Sequence, residues 1–236
     1  MIKYQSTNGI LSTLRTSNIS ILKKPNQAVI DSASLAIEPQ HDHRPSVDPQ
    51  VAIRWQDPAV VSIQDLHLSD WLLDTASLTE RLQSLCTRFD VFVVSHQLAL
   101  PTSDEIRLLN CPKNNTYIRE VILLGDGVPW VFARSVIPKV INDTELEGIG
   151  SEPLGKRIFN DPRFQRGQFQ LCHVDWHLMR QRLISKISSD FFSNGVVAES
   201  KVYGRRSCFD FLGAKMSVAE LFLPDAPAYL KLSEQK

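Results

Sequence analysis

The sequence is short of cysteine, of net charge and of long apolar runs, and each shortage excludes a class of protein. Its four cysteines include no CxxC pair, which is typical of reduced thiols and argues against a disulfide framework. Twenty-six basic residues balance 26 acidic ones, so no overall field attracts nucleic acid or anionic lipid. The longest apolar runs, such as Val91–Val94, are far shorter than the ~20 residues that span a bilayer. We therefore expect a cytoplasmic protein without membrane insertion or a nucleic-acid partner.

The motifs of several enzyme classes are also missing. The chain has no GxSxG and no GxGxxG, so acyl transfer and dinucleotide chemistry have no support. Residues 150–156 fit GxxxxGK, but Arg157 replaces the Ser or Thr that would hold magnesium, and no buried strand precedes the loop. His41-Asp42-His43 lacks further ligands nearby, and His173 and His177, four residues apart, have no convincing third ligand. We expect no metal site.

Residues 1–62 are predicted to form a polar, loosely ordered arm. The first thirty residues contain no acidic residue and are rich in Ser and Thr, which also fits an organelle transit peptide, although arginine is scarce. Four prolines between positions 39 and 58 interrupt any helical or strand periodicity. A single folded domain is predicted over residues 63–230, because a chain of this length can bury one full core.

The strongest local pattern is a β-hairpin in the middle of the chain. The β-rich runs Tyr117–Leu124 and Trp130–Pro138 flank Gly125-Asp126-Gly127, whose glycines can take the positive φ of a tight turn. A second hairpin is predicted from Tyr203–Leu212 and Lys215–Leu223, with its turn at Gly213-Ala214. These four runs predict an antiparallel sheet.

One charge in each hairpin lies on an apolar strand face. Because side chains alternate along a strand, Arg119 shares a face with Val121 and Leu123, and Glu220 shares one with Val218 and Phe222. An isolated buried charge is too costly to keep. The two side chains therefore either form a structural ion pair with each other or face a polar ligand.

Two helix starts are predicted to leave backbone amides available. Ser77 and Glu80 form a capping-box pattern that places Leu78 in the first turn of a helix, and Ser151 near a second cap places Leu154 similarly. Such amides have no intrahelical partner and can attract an anion, although an ordinary capped helix is the commoner case. The other predicted helices cover 66–73, 143–150 and 173–192, the other predicted strands 90–100 and 164–172, and residues 101–115 are predicted to be a polar connection.

Four segments in this order resemble the chorismate pyruvate-lyase family: DWLLDTASLTERL, YIREVILLGDGVPWVFARSVIP, IGSEPLGKRIF and YGRRSCFDFLGAKMSVAELFLPDAPAY. The resemblance implies an α+β fold, with a single antiparallel sheet of about six strands, flanking helices and flap segments over a buried pocket. The family's ligand-binding positions fall on Leu78, Arg119, Leu154 and Glu220. Two departures stand out, namely the long arm and a probable insertion over 175–201, which is expected in the flap region.

The implied reaction eliminates pyruvate from chorismate to give 4-hydroxybenzoate for ubiquinone biosynthesis, without a cofactor. Arg119 would bind the ring carboxylate, and Glu220, in its apolar setting, would be a proton donor or hydrogen-bond partner at the ether oxygen. Arg134 and Arg205 are further candidates for the enolpyruvyl carboxylate. A monomer is expected. The alternatives are a non-catalytic sensor of the same fold, as in transcription regulators, or a lyase for a related cyclic acid.

Overall fold

Six strands form one antiparallel sheet in the order β1-β2-β3-β6-β5-β4. The structure, a computed structural model, describes residues 53–111, 114–192 and 201–230. The strands are β1 Phe89–Leu98, β2 Thr116–Gly125, β3 Val128–Pro138, β4 Phe164–Asp175, β5 Lys201–Phe211 and β6 Ala214–Phe222. The helices are α1 Leu66–Leu73, α2 Leu78–Gln83, α3 Ser103–Leu109, α4 Lys139–Thr144, α5 Leu154–Phe159 and α6 Trp176–Ile184. This architecture confirms the predicted α+β fold.

The central hairpin, β2 and β3, forms as predicted. Asp126 and Gly127 make a two-residue turn, with φ values of 50° and 82°, and Gly127 takes this left-handed conformation without a Cβ clash. Gly125 just before the turn lies against the Trp130 ring, where an added Cβ would come within 2.0 Å of the ring carbons. The hairpin register places Arg119 opposite Ser135.

Both faces of the sheet are covered, which explains why almost all of β2 is buried. Val121 and Leu123 pack with residues of α1 and α2, on what we call the first face. Ile122 and Leu124 point the other way and pack with residues of α6, on the second face. Because successive side chains alternate, Arg119 belongs to the first face and Glu120 to the second.

A segment before α1 wraps around the outer edge of β4. The backbone of Gln56 and Leu171 exchanges two hydrogen bonds of 2.9 and 2.8 Å. Trp55 packs with the cluster on the second face and Val61 with the cluster on the first. These residues belong to the predicted arm, whose remaining part, with the His41-Asp42-His43 triplet, lies outside the described residues.

Two predicted helices begin or end elsewhere. The predicted acidic helix over 143–150 is wrong, because the helix here is α4, Lys139–Thr144. The helix predicted over 173–192 is shorter, because β4 continues to Asp175, whose side chain caps α6 by accepting from the Leu178 amide at 3.1 Å. No helix in the described residues is long and apolar enough to cross a membrane.

Helix α6 lies in the segment interpreted as an insertion, and its position corrects the expectation that this segment is a flap. Its buried stripe of Trp176, Met179 and Leu183 packs with Ile122 and Phe132 on the second face. The predicted pocket residue Arg119 is on the first face. The described part of the insertion therefore contributes no cover to the pocket.

Candidate active site

Arg119 is buried without a carboxylate partner among the described residues. Only 2% of it is exposed, and its Nη2 donates to the carbonyl oxygens of Gly150 at 3.1 Å and Glu152 at 3.0 Å. Its Nε has no hydrogen-bond partner. Burial lowers the pKa of the guanidinium to about 10. The side chain is thus held rigidly while one donor stays available.

Glu220 pairs with Arg205, not with Arg119. Its Oε2 accepts from the Arg205 Nε at 2.7 Å, since the two residues are direct neighbours on β6 and β5. Arg205 is 1% exposed, and its Nη1 donates to the carbonyls of Trp71 and Asp74. The expectation of apolar surroundings for Glu220 is therefore wrong. The carboxylate sits in an ion pair with a buried guanidinium.

A cavity on the first face brings the four predicted ligand positions together. It lies where the sheet meets α2 and α5, and its lining includes Leu78, Arg119, Leu154 and Glu220. The enclosed volume is only about 30 Å³. An apolar cavity of about 150 Å³ can hold benzene, so this space is too small for the aromatic ring of the expected ligand. A ring-sized ligand requires movement of the residues that cover the cavity.

The two helix starts lie at the cavity as predicted, although one cap differs. Ser77 caps α2 by accepting from the Glu80 amide at 3.4 Å, which makes Leu78 the first helical residue. Helix α5 begins at Leu154 after Pro153, with no side-chain cap, so the prediction of Ser151 as the cap is wrong. First-turn amides have no intrahelical acceptor. Both helices therefore begin with a backbone donor beside the cavity.

Arg166, which the sequence analysis did not single out, also lines the cavity. Its guanidinium carbon lies 4.5, 4.8 and 5.2 Å from the ring centroids of Phe159, Phe169 and Phe209, and its Nη1 donates to the Thr75 carbonyl at 3.0 Å. Burial, the largest influence, lowers the pKa of Arg166 to about 10. Its contacts come from distant parts of the chain, so no local pattern indicates its role.

Unsatisfied donors concentrate at this cavity. In residues 53–111, 114–192 and 201–230, three buried side-chain N or O atoms lack a partner: Arg119 Nε, Arg166 Nε and Arg205 Nη2. Two of these arginines line the cavity, and the third pairs with its carboxylate. Buried donors without partners are rare and costly. Three together, with an excess of positive charge, indicate a site for an anion.

The second face carries a larger cavity of about 340 Å³, but its charges are satisfied internally. Arg134 donates to Glu105 at 2.8 Å and to Glu120 at 2.9 Å. Arg206 donates to Gln170 at 2.7 Å and pairs with Asp104. The candidate role of Arg134 in the predicted pocket is wrong, because alternation along β3 directs it away from Arg119.

The histidines predicted as a weak metal pair are not on one helix. His173 belongs to β4, where its ring lies 5.9 Å from that of Tyr203. His177 belongs to α6 and contacts Gln181 at 3.0 Å. The described segments contain no group of three or more His, Cys, Asp or Glu side chains suited to a metal ion.

The molecule is thus an α+β protein with an arginine-rich cavity enclosed between its sheet and two short helices. A family model described as chorismate lyase matches residues 50–233. A probable chorismate pyruvate-lyase of Pseudoalteromonas atlantica is 40% identical over 182 residues, which cover 75% of this chain and 90% of that protein. Another, of Shewanella frigidimarina, is 30% identical over 201 residues, with coverage of 77% and 94%. The chain belongs to the chorismate lyase family, which confirms the resemblance seen in the sequence.

Solved structures resemble the chain more distantly. The effector domain of PhnF from Mycobacterium smegmatis aligns with 65% of this chain and 91% of its own length, at 12% identity and a TM-score of 0.46. A likeness this distant has no bearing on function.

Proposed function

We propose that this protein is a chorismate pyruvate-lyase, which eliminates pyruvate from chorismate to leave 4-hydroxybenzoate for ubiquinone biosynthesis. Family membership and the names of the relatives support this reaction class. The observation that carries the proposal is a cavity lined by Arg119, Arg166 and Glu220, in which the two arginines each keep an unsatisfied Nε–H. An anionic ring with a hydroxyl would give the arginines an acceptor and Glu220 a donor.

Arg119 binds the ring carboxylate in this proposal. Its Nε–H has no partner and is the donor available to a ligand, while the carbonyls of Gly150 and Glu152 hold its Nη2 in place. The amides of Leu78 and Leu154, two residues that also line the cavity, supply two further donors. Charge-assisted hydrogen bonds of this kind are about twice as strong as neutral ones.

Glu220 takes the opposite end of the ring. Since it accepts a 2.7 Å hydrogen bond from Arg205, we assign it the role of hydrogen-bond partner, one of the two roles that the sequence left open. In the elimination, the ring carbon that bears the hydroxyl loses its proton, and that electron pair forms the ring double bond. The neighbouring C–O bond breaks, and the released enolate takes up one proton at its methylene carbon, replacing the proton lost from the ring, to become pyruvate. Glu220 orients the ring hydroxyl by accepting its proton in a hydrogen bond.

The small volume of the cavity suits a reaction that is completed out of contact with water. With α2 and α5 closed, the cavity has room for about one water molecule. Aromatisation supplies the driving force, so orientation and exclusion of solvent are the main contributions asked of the protein. Entry and release then require α2 and α5 to move apart.

The test is incubation of the purified chain with chorismate, with and without a chelator, following pyruvate and 4-hydroxybenzoate together. Equal release of both products supports the proposal. Tight binding of chorismate without release of either product would instead identify a sensor, and turnover only of a related cyclic acid would identify a different substrate. Glu220→Gln should lower kcat by at least tenfold, and full turnover in that variant would reject the role of the carboxylate.

We further propose that the protein works in the cytoplasm as a monomer. Its four cysteines are free thiols, which fits a reducing compartment. For a monomer, sedimentation equilibrium should give a mass near 26.7 kDa.

A further inference from the structure

The cavity on the first face contains one more cation than binding of a monocarboxylate requires. Glu220 is paired with Arg205, which neutralises both groups. Arg119 and Arg166 have no carboxylate within ion-pair distance among the residues that the structure describes, and each retains an unsatisfied Nε–H. Two unpaired guanidinium groups match a ligand with two carboxylates.

Arg166 is oriented by packing and not by an ion pair. The guanidinium lies over three phenylalanine rings, one from α5, one from β4 and one from β5. A single hydrogen bond to the Thr75 carbonyl fixes its far side. Stacking of this kind restricts the rotamers of the guanidinium without neutralising it. The charge is therefore presented to the cavity in a fixed orientation.

We propose that Arg166 binds the second carboxylate of the substrate, on the three-carbon side chain, and so determines the preference of the site for a dicarboxylate. This proposal rests on the proposed function for the identity of that substrate. Arg119 holds the ring carboxylate, and Arg166 holds the group that leaves. Once the side chain has departed, Arg166 loses its counter-ion, so the aromatic product is bound through fewer charges than the substrate.

The experiment compares two ligands that do not react. One is 3-(carboxymethoxy)benzoate, an aromatic dianion with the spacing of the substrate, and the other is 4-hydroxybenzoate, a monoanion at pH 7. Both are titrated calorimetrically into the wild type, Arg166→Met and Arg163→Met. Arg163 is the matched control, because it also stacks on a phenylalanine, at 4.9 Å from Phe211, but lies in exposed ion pairs away from the cavity.

Arg166→Met should lower the affinity for the dianion about 100-fold, as expected for removal of one partner of a buried charge pair. The affinity for the monoanion should fall less than about threefold. Arg163→Met should change neither of the two affinities by more than about twofold. Equal weakening of both ligands by Arg166→Met would show a purely structural role and overturn the proposal, as would no weakening of either. If Arg166→Met unfolds, Arg166→Lys, which keeps the charge but lacks the Nε–H, is compared in the same way.

Binding and turnover separate the two proposals. A wild-type chain that prefers the dianion but does not cleave chorismate would refute the proposed reaction and leave the role of Arg166 standing. A chain that cleaves chorismate with equal kcat/KM in wild type and Arg166→Met would support the reaction and refute the role of Arg166.

Discussion

The two faces of the sheet each contain a charged cavity, and they differ in how the charges are satisfied. On the second face Arg134 is shared between Glu105 and Glu120, and Lys186 adds a 2.7 Å bond to Glu120. The first-face cavity is lined by two arginines and one glutamate, and within the described part of the chain the Nε of both arginines has no partner. The second face has the larger cavity, about 340 Å³ against about 30 Å³.

The active site that we propose is therefore the smaller of these two cavities. A satisfied ion-pair network gains little from a ligand, whereas a buried donor without a partner gains a full hydrogen bond. We therefore expect the second-face network to contribute to stability, and we propose that the unpaired donors on the first face bind an anionic ligand. Substitutions on the first face should therefore lower activity more than stability, and substitutions on the second face should lower stability more than activity.

The largest effect is expected for Arg119→Met. We expect kcat/KM for chorismate to fall by about 1,000-fold, because a charge-assisted contact in a buried site is lost. The free energy of unfolding should fall by less than about 2 kcal/mol, since an uncompensated buried charge is removed together with its hydrogen bonds. Steady-state kinetics and urea denaturation measure the two quantities. Retained turnover, or a loss of stability as large as that of a second-face variant, would contradict the contrast between the faces.

Glu120→Gln should lower the stability of the protein more than its activity. Glu120 is 1% exposed, and removing its charge leaves Arg182 and Lys186 without a carboxylate while Arg134 keeps Glu105, so it should cost about 3–5 kcal/mol of unfolding free energy. The kcat/KM should stay within about threefold of wild type, because Glu120 points away from the cavity. Glu145→Gln, at a surface pair with Arg163, is the control and should cost less than about 1 kcal/mol. A catalytic defect in folded Glu120→Gln protein would show that the faces are coupled.

The pH dependence of stability should follow the second face. Burial alone would raise the pKa of Glu120, but the hydrogen bond from Lys186 and the charges of Arg134 and Lys186 lower it below the usual 4.5. A lowered pKa contributes stability above pH 4.5 that is lost as pH falls through the folded-state pKa, at up to about 1.4 kcal/mol per pH unit. The stability difference between wild type and Glu120→Gln should therefore be constant from pH 7 to about 5 and shrink below about 4.5. A difference that does not shrink would argue against ionised Glu120.

The smallest effect is expected at the contact between α2 and α5. A Cβ at Gly155 would lie 3.0 Å from Thr79 Oγ1, so Gly155→Val should push the two covering helices apart. Overpacking costs about 1–3 kcal/mol and should destabilise the closed arrangement of the two helices. We therefore expect 4-hydroxybenzoate to be released about tenfold faster, as measured by stopped-flow displacement. Gly167→Ala is the control, because Gly167 is not a lining residue and its added Cβ would make an ordinary 3.5 Å contact with the Cys208 carbonyl. An unchanged release rate would show that these helices do not limit exit.

Alternation along strands predicted the central features of the site. It placed Arg119 and Glu220 on inward faces, and the resemblance added Leu78 and Leu154. The ion pair between Glu220 and Arg205 was missed because the second hairpin was predicted to turn at Gly213-Ala214. The turn is at Leu212 and Gly213, with φ values of 51° and 87°, and this one-residue error shifts the strand pairing by two.

Other features could not be obtained from local patterns. A positive φ at a leucine such as Leu212 is uncommon, and propensity gives no indication of it. Arg166 is defined by rings from three separate elements. In contrast, helix α3 was missed although its signal was present, because Thr102 and Glu105 form a capping box that the structure shows in full.

The two hydrogen bonds between Gln56 and Leu171 have a practical consequence for shortening the chain. Strand β4 is an edge strand of the sheet, and an uncovered edge strand is a template for pairing with other molecules. A shortened version that starts at residue 60 would lose this shield together with the indole of Trp55. It should be prone to aggregate at concentrations where a version that starts at residue 50 remains dispersed.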